Sequence, residues 1–243
     1  MPESILTYVT VWQDLSYACE FTKPILELAR ENVSVLTNLH DAIGTRFPVK
    51  PSDLRSFGGN SMSEVRVVAS SFNDQASVEL DVERFICQVS GVRSSEDLVV
   101  AHDFTALATE SIQDSLPKLS ISKSTLGMSG HLEIEGLRES GATAFLASMM
   151  SDAAREAAGN LAGDGVAEFG FSVELSDARQ GWNGHLRIER SLLETADLFV
   201  NATMEFRPES PVLSYSDRFH LGTGTLASAL AAFGMTPTEE ANQ

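Results

Sequence analysis

The sequence has few cysteines, few positive charges and no long hydrophobic run. Its two cysteines, Cys19 and Cys87, form no closely spaced pair, so neither a disulfide framework nor an oxidising compartment is indicated. Lys and Arg total 17 against 34 Asp and Glu, which gives a formal net charge of -17. Because this charge repels phosphate backbones and anionic lipids, we expect neither nucleic-acid binding nor membrane binding.

The N-terminal segment lacks the features of a targeting signal. No basic residue precedes Lys23, and Glu3 and Asp14 interrupt the apolar residues, so a charged start and an apolar core are both missing. No later apolar run approaches the length that crosses a bilayer. These absences predict a soluble protein of the cytoplasm.

Signatures of catalysis and of cofactor binding are also missing. The sequence contains no Gly-x-Ser-x-Gly, no His-Glu-x-x-His, no Walker-type Gly-Lys-Ser/Thr and no Cys-x-x-Cys. Gly222-Thr223-Gly224 resembles a phosphate-binding turn, but too few residues follow it for the return strand of a β-α-β unit. We predict no cofactor and no metal, and we expect these glycines to lead into a terminal helix capped by Thr223 or Thr225.

The two cysteines are interpreted as buried small hydrophobic residues. Cys87 lies in an apolar stretch that contains Phe85, and Cys19 lies close to Phe21. Free cysteine is among the most frequently buried residue types, and this reading is favoured over a redox pair or a nucleophile.

The remaining composition is that of a globular protein. Hydrophobic residues make up 43% and charged residues 21% of 243 residues. This length suits one large domain or two modest ones, and it allows a sizeable core.

Four segments have the apolar spacing of helices. The first follows Pro24 and ends near Gly44, and the second begins at a capping pair, Ser94 and Asp97, and stops at Pro117. An Ala-rich segment and a short helix before a capping glycine complete the set. The predicted helices cover about residues 25–44, 95–116, 142–158 and 225–233.

Alternation of apolar and polar residues predicts strands. Residues 64–90 read as a hairpin that turns at Asn73-Asp74, whereas residues 46–62 contain prolines and glycines and read as a loop. Asn183-Gly184 is the signal of a tight hairpin turn. The other predicted strands cover residues 119–122, 131–135, 168–175, 185–189 and 197–206.

A short pattern occurs twice. GHLEIE at 130–135 returns as GHLRIE at 184–189, and AFLASMM then aligns with DLFVNATM. A duplicated unit leaves such an echo, so we expect the second copy to superpose on the first. The alignment pairs part of the predicted helix at 142–158 with the predicted strand at 197–206. To reconcile the two, we expect a strand that runs into a helix near Ser151. The segments concerned are 118–150 and 172–204.

These observations together predict an α+β fold. We expect antiparallel, hairpin-built sheets backed by helices, in two related sheet-bearing halves. The predicted division is an N-terminal helical arm or extra layer at 1–62, a first half at 63–160 and a second half at 161–243, which may pack as one domain.

The echo also supplies candidate binding residues. If Leu132 and Ile134 and their counterparts are buried, then His131, Glu133, His185 and Arg187 project from the opposite face. His131, Glu133 and Glu135 resemble metal ligands in kind, but the arginine in the second copy favours a solvated sheet face. Trp182 is a further candidate, as an apolar wall.

We expect a non-catalytic interaction or assembly subunit, with a protein as its partner, since no chemical signature competes with that interpretation. The alternatives are an enzyme or a small-molecule-binding protein with its site in the cleft between the halves. A minor alternative is an acidic mimic of nucleic acid.

Overall fold

The fold is α+β, as predicted. The computed structural model describes residues 6–58, 61–135, 141–162, 169–192, 197–211 and 214–238. Within these ranges the strands are β1 (Leu6–Phe21), β2 (Leu54–Phe57), β3 (Arg66–Ser71), β4 (Ala76–Asp81), β5 (Arg84–Val92), β6 (Ile121–Ile134), β7 (Gly170–Asp177), β8 (Trp182–Arg190), β9 (Leu198–Phe206) and β10 (Met235–Pro237). The helices are α1 (Leu28–Gly44), α2 (Ser95–Ser115), α3 (Gly141–Ser148), α4 (Asp152–Ala162) and α5 (Tyr215–Ala232).

All ten strands join one sheet, which runs in the order β2-β3-β4-β5-β1-β6-β9-β8-β7. Neighbours along this path are antiparallel, and β10 pairs in parallel with the first residues of β1. The central pair is β1 and β6, from which two runs of hairpin-connected strands extend to the edges. The division of the chain at residues 62 and 160 stays a prediction.

Helix α2 matches its prediction closely. The Ser94 hydroxyl accepts a hydrogen bond from the Asp97 amide at 3.1 Å, and the Asp97 carboxylate accepts one from the Arg93 amide at 3.0 Å. The first bond satisfies a backbone donor that the first helical turn leaves free, and the second joins the helix to the residue before its N-cap. Phe104 and Ala108, on the predicted apolar stripe, are fully buried.

The predicted hairpin at 64–90 is confirmed for β3 and β4, but its last residues form a third strand, β5, which was not predicted. Phe72, Asn73 and Asp74 have φ angles of 52°, 56° and 66°. Asn and Asp tolerate this left-handed conformation better than most residues.

The Ala-rich segment forms two helices, separated by three residues. Helix α3 ends at Ser148 and α4 begins at Asp152, so the predicted strand that runs into a helix near Ser151 is wrong. The predicted strands at 119–122 and 131–135 belong to a single strand, β6.

The largest omission from the sequence prediction is β1, the 16-residue strand at the centre of the sheet. Its second half alternates clearly, with Leu15, Tyr17 and Cys19 buried. A register shift between Thr10 and Trp12 interrupts that alternation in the first half. Strand β2, read as part of a loop, and β10 were also missed.

Helix α5 is twice as long as predicted, because Gly222-Thr223-Gly224 lies inside it. Its N-cap is Ser214, whose hydroxyl accepts from the Asp217 amide at 3.0 Å, so the expected caps at Thr223 and Thr225 are wrong. Gly222 is buried against Leu126 of β6, where a Cβ would meet the leucine side chain. A glycine in a helix can therefore mark close packing rather than a helix end.

The turn between β7 and β8 also differs from its prediction. Asn183 and Gly184 lie within β8, and the turn is made just before them by Gly181, which has a φ of 67°. Asp177 closes this turn by accepting the amides of Arg179 and Gln180 at 2.8 and 3.1 Å.

In the described part of the chain, helices α1, α2, α3 and α5 pack on the same face of the sheet, as the alternation of buried residues along the strands shows. The core between sheet and helices includes Phe85 and Phe104 on the β1–β5 side, and Leu146, Leu186 and Leu198 on the β6–β9 side. We call the opposite face of the sheet the open face. Burying only one side explains why apolar and polar residues alternate along most strands.

The echo is only partly reflected in the structure. Leu132, Ile134, Leu186 and Ile188 are all buried on the helix-covered face, as expected. The superposition of 118–150 on 172–204 fails, however, because residues 144–148 are helical in α3 whereas 198–204 belong to β9. Strands β6 and β8 both flank β9, and the relation between two halves stays a prediction.

Candidate functional site

The centre of the open face is a trough of small polar side chains. Ser16 pairs with Gln88 on one side and with Gly127 on the other, and Gly127 pairs with Thr203. One step along the strands, Ser129 pairs with Asn201. Strand alternation aims these side chains away from the helices.

The trough encloses a shallow cavity of ≈ 360 Å³. Gly127 forms part of its floor, because a Cβ there would collide with the Ser16 hydroxyl. Asp14 borders the cavity and accepts hydrogen bonds from the Trp12 indole nitrogen at 2.8 Å and from the Gly91 amide at 3.3 Å. The arrangement offers hydroxyl, amide and carboxylate groups at the bottom of a depression.

The open face also carries ion pairs, and each uses a carboxylate of the same face. Lys123 lies 3.2 Å from Glu20 and 3.3 Å from Glu205, across three neighbouring strands. Its hydrogen bond to Glu20, followed by that to Glu205, raises the pKa of Lys123. Similar pairs join Arg66 to Glu79 at 3.3 Å and Arg84 to Asp81 at 3.2 Å.

Four of the predicted binding residues lie on the open face. His131 approaches the Ser191 hydroxyl at 2.9 Å and packs against the Phe199 ring at 5.2 Å between centroids. Glu133 lies two residues further along β6 and is exposed. Arg187 pairs with Glu189 at 2.5 Å within one strand. His185 contacts Ser172 and Glu174 of the neighbouring strand β7.

Trp182 does not join these four residues. It is only 8% exposed and packs in the core on the helix-covered face, because it lies an odd number of positions from His185 on β8. Its role as an apolar wall of a binding site stays a prediction.

Two sets of side chains have the order serine, histidine, carboxylate. On the open face, His185 lies 3.3 Å from the Ser172 hydroxyl and 2.9 Å from Glu174. The Glu174 side chain is 83% exposed, so water screens its interaction with the histidine. We interpret this set as a solvated cross-strand contact.

The second set joins α2 to α5 and could not be seen in the sequence. His102 lies 3.0 Å from Asp103 and 3.0 Å from the Ser216 hydroxyl. The rings of Tyr215 and His220 stack on His102, at 5.5 and 5.6 Å between centroids. Because aromatic rings pack around the imidazole, we interpret the set as a packing contact between helices.

The cysteines are buried as predicted, and their environment suppresses reactivity. Burial raises the pKa of Cys19 to about 11 and that of Cys87 to about 12. Burial also raises the pKa of Tyr17, whose hydroxyl accepts a 2.7 Å hydrogen bond from the buried Arg218. The thiolate is the reactive form, so neither cysteine is a nucleophile at neutral pH.

The described ranges contain neither a metal-binding cluster nor a membrane-crossing helix. There, no group of three or more His, Cys, Asp or Glu side chains is placed to hold a metal ion. No helix in the same ranges combines the length and apolarity needed to cross a membrane.

The chain was also compared with known proteins. No family matches it, and no curated protein matches it. Among solved structures, Methanococcus jannaschii TBP has 8% sequence identity and a TM-score of 0.27, over 93% of this chain and 98% of that one. A likeness at this TM-score supports no argument about fold or function.

Proposed function

We propose that the protein is a non-catalytic interaction subunit that docks a basic protein partner on the open face of its sheet. The observation that carries the proposal is the absence of helices from this face, among the residues described. The nine strands along the sheet path make a face roughly 38 Å wide at the usual strand spacing. A stable interface needs about 800 Å² from each partner, which a face of this width can supply.

Charge favours a basic partner. Lys123, Arg66, Arg84 and Arg187 each have a carboxylate of the sheet within ion-pair distance, so they present little free positive charge. Further carboxylates on the face, including Asp14, add negative charge beyond these pairs. The face therefore shares the sign of the whole chain, whose net charge is -17. Complementary charge speeds association and selects against acidic partners.

The trough gives the proposed interface a depression that a partner side chain can enter. Gly127 contributes no side chain to its floor, and its cavity of ≈ 360 Å³ has room for a protruding partner side chain. Hydroxyl and amide groups there can bond a lysine or arginine that reaches Asp14.

The test uses a matched pair of β-forming peptides, one rich in lysine and one rich in glutamate, titrated into isotope-labelled protein. We expect the lysine-rich peptide to shift the amide signals of Ser16, Gly127 and Thr203, and to bind more weakly as salt increases. The glutamate-rich peptide should leave these signals in place. Signal changes confined to the helices, or equal binding of both peptides, would refute the proposal.

A pair of variants separates the open face from general attraction to an acidic protein. Asn201→Arg adds one positive charge in the trough, and Gln113→Arg adds the same charge on the exposed surface of α2. We expect the trough variant to weaken lysine-peptide binding by about fivefold or more, and the helix variant to change it little. Equal losses in the two variants would show that only net charge matters.

A further inference from the structure

A second cavity lies on the helix-covered side of the sheet, between α2 and α5. Its floor is a row across three strands, in which Gly130 pairs with Gln13 and with Val200. Leu98 of α2 and Leu226 of α5 stand on opposite sides of this row. We call this space the α2–α5 cleft.

The cleft is built into the backbone. Gly130 contributes no side chain to the middle of the floor, and a Cβ there would come within 2.7 Å of the Trp12 carbonyl oxygen. That carbonyl lies at the irregularity in β1 between Thr10 and Trp12. The missing side chain therefore reflects a fixed strand geometry, because only glycine tolerates so close an approach of backbone.

The lining is apolar, with a few neutral polar groups. Leu132, Val200 and Leu230 are buried around it, together with Met128. Its polar side chains include Tyr8, Thr10, Gln13 and Thr223, and none of the described residues that line the inner cavity is charged. Burial raises the pKa of Tyr8, so its hydroxyl keeps its proton and can donate a hydrogen bond. Mostly apolar walls with a few convergent polar groups are typical of small-molecule sites.

The volume of the α2–α5 cleft limits the size of a ligand that it can hold. The inner cavity measures ≈ 180 Å³, and an apolar cavity of about 150 Å³ is known to take up benzene. An outer compartment of ≈ 380 Å³ adjoins it, shares Tyr8, Thr10, Gln13 and Leu98 as walls, and has Arg93 in its lining as well. A single ring fits the inner cavity, and a substituent could extend outward.

We propose that the α2–α5 cleft binds a small, uncharged aromatic molecule of the phenol or indole class. The ring occupies the inner cavity against Leu226 and Val200, and the hydroxyl or ring N–H bonds Gln13 or Thr10. Among the described residues no charged side chain lines the inner cavity, so a carboxylate seated in that cavity would find no cation to compensate its loss of water.

The test titrates phenol and benzoate separately into protein labelled at its methyl groups. We expect phenol to shift the Met128, Leu226 and Leu230 methyl signals, with a dissociation constant on the order of 1 mM or tighter, and benzoate to leave them in place. No shift of these signals at saturating phenol, or equal shifts with benzoate, would overturn the proposal.

Two variants on one helix locate the site. Ala227→Trp fills the cleft from its rim, whereas Ala232→Trp adds the same bulk on the exposed end of α5, outside the cleft lining. Phenol affinity should fall at least tenfold in the first variant and stay within twofold in the second. A loss in both variants, or in neither, would place phenol elsewhere.

A third variant tests the polar contact. Gln13→Leu keeps the side-chain size but removes its hydrogen-bonding groups, so phenol binding should weaken by about fivefold while toluene binding is unchanged or stronger. Equal effects on phenol and toluene would contradict the assigned orientation.

Discussion

Replacing Ile188 with alanine tests whether β8 divides the molecule into a buried and an open side. Ile188 is 1% exposed and pairs with Val200 in the core beneath the helices. The change removes three carbons, worth about 2.4 kcal/mol of transfer free energy at roughly 0.8 kcal/mol each. The cavity left behind raises the expected loss of unfolding free energy to about 3–4 kcal/mol. The midpoint of thermal unfolding should fall by about 10 °C for a chain of this length.

The matched control lies three residues earlier on the same strand. His185 projects from the open face, where its contact with Glu174 is a solvated pair, so His185→Ala should cost less than about 1 kcal/mol. Urea unfolding followed by circular dichroism measures both variants, and an unchanged dependence on urea confirms that the same transition is compared. A cost below about 1 kcal/mol for Ile188→Ala, or equal costs for both, would refute the assignment of faces.

Two further outcomes follow from burial within the core. Gly222→Ala should lower the unfolding free energy by about 1–3 kcal/mol, because its Cβ meets Leu126. Gly224→Ala on the same helix has open space and should raise the unfolding free energy by about 0.5–1 kcal/mol. Urea unfolding that ranked the two variants in the opposite order would contradict the packing of α5 on β6. Cys19 and Cys87 should react with a thiol reagent only after unfolding. Since burial raises their pKa values from 9.0 to about 11 and about 12, the unfolded chain loses these protons first, and stability should fall as pH rises above 9. Replacing both cysteines with alanine should flatten that fall, and an identical alkaline profile would show that other groups cause it.

The sequence predicted local structure correctly where a single side chain fixes the neighbouring backbone. Ser94 and Asp97 predicted the start of α2, and Asn73 and Asp74 predicted a turn, because in each case the residue type acts through neighbouring backbone. Alternation around Leu132 and Ile188 also predicted which side chains of β6 and β8 face the core.

Predictions from the sequence were wrong where contact with a distant element decides the conformation. Gly222 looked like a helix boundary because its close contact, Leu126, lies almost a hundred residues away. Strand β1 was missed because an irregularity near Val11 breaks its alternation, and only pairing with β6 explains that break.

The candidate site was predictable only in part, for the same reason. Alternation placed His131, Glu133, His185 and Arg187 on one face, and Trp182 was assigned without reference to that alternation. The trough was missed, although Gly127 and Ser129 alternate with Leu126 and Met128 in the sequence. Nothing local indicated that Ser16 and Thr203 would join them, since sheet register sets that meeting.

The central position of β1 has a consequence for biosynthesis. Its ladder with β5 can form once about the first hundred residues have left the ribosome, but its other edge waits for β6, where Tyr17 meets Leu126. During that interval a long strand edge has no partner, and unpaired edges recruit other chains. A nascent chain that pauses between α2 and β6 should therefore be the species most prone to aggregate and most dependent on chaperones.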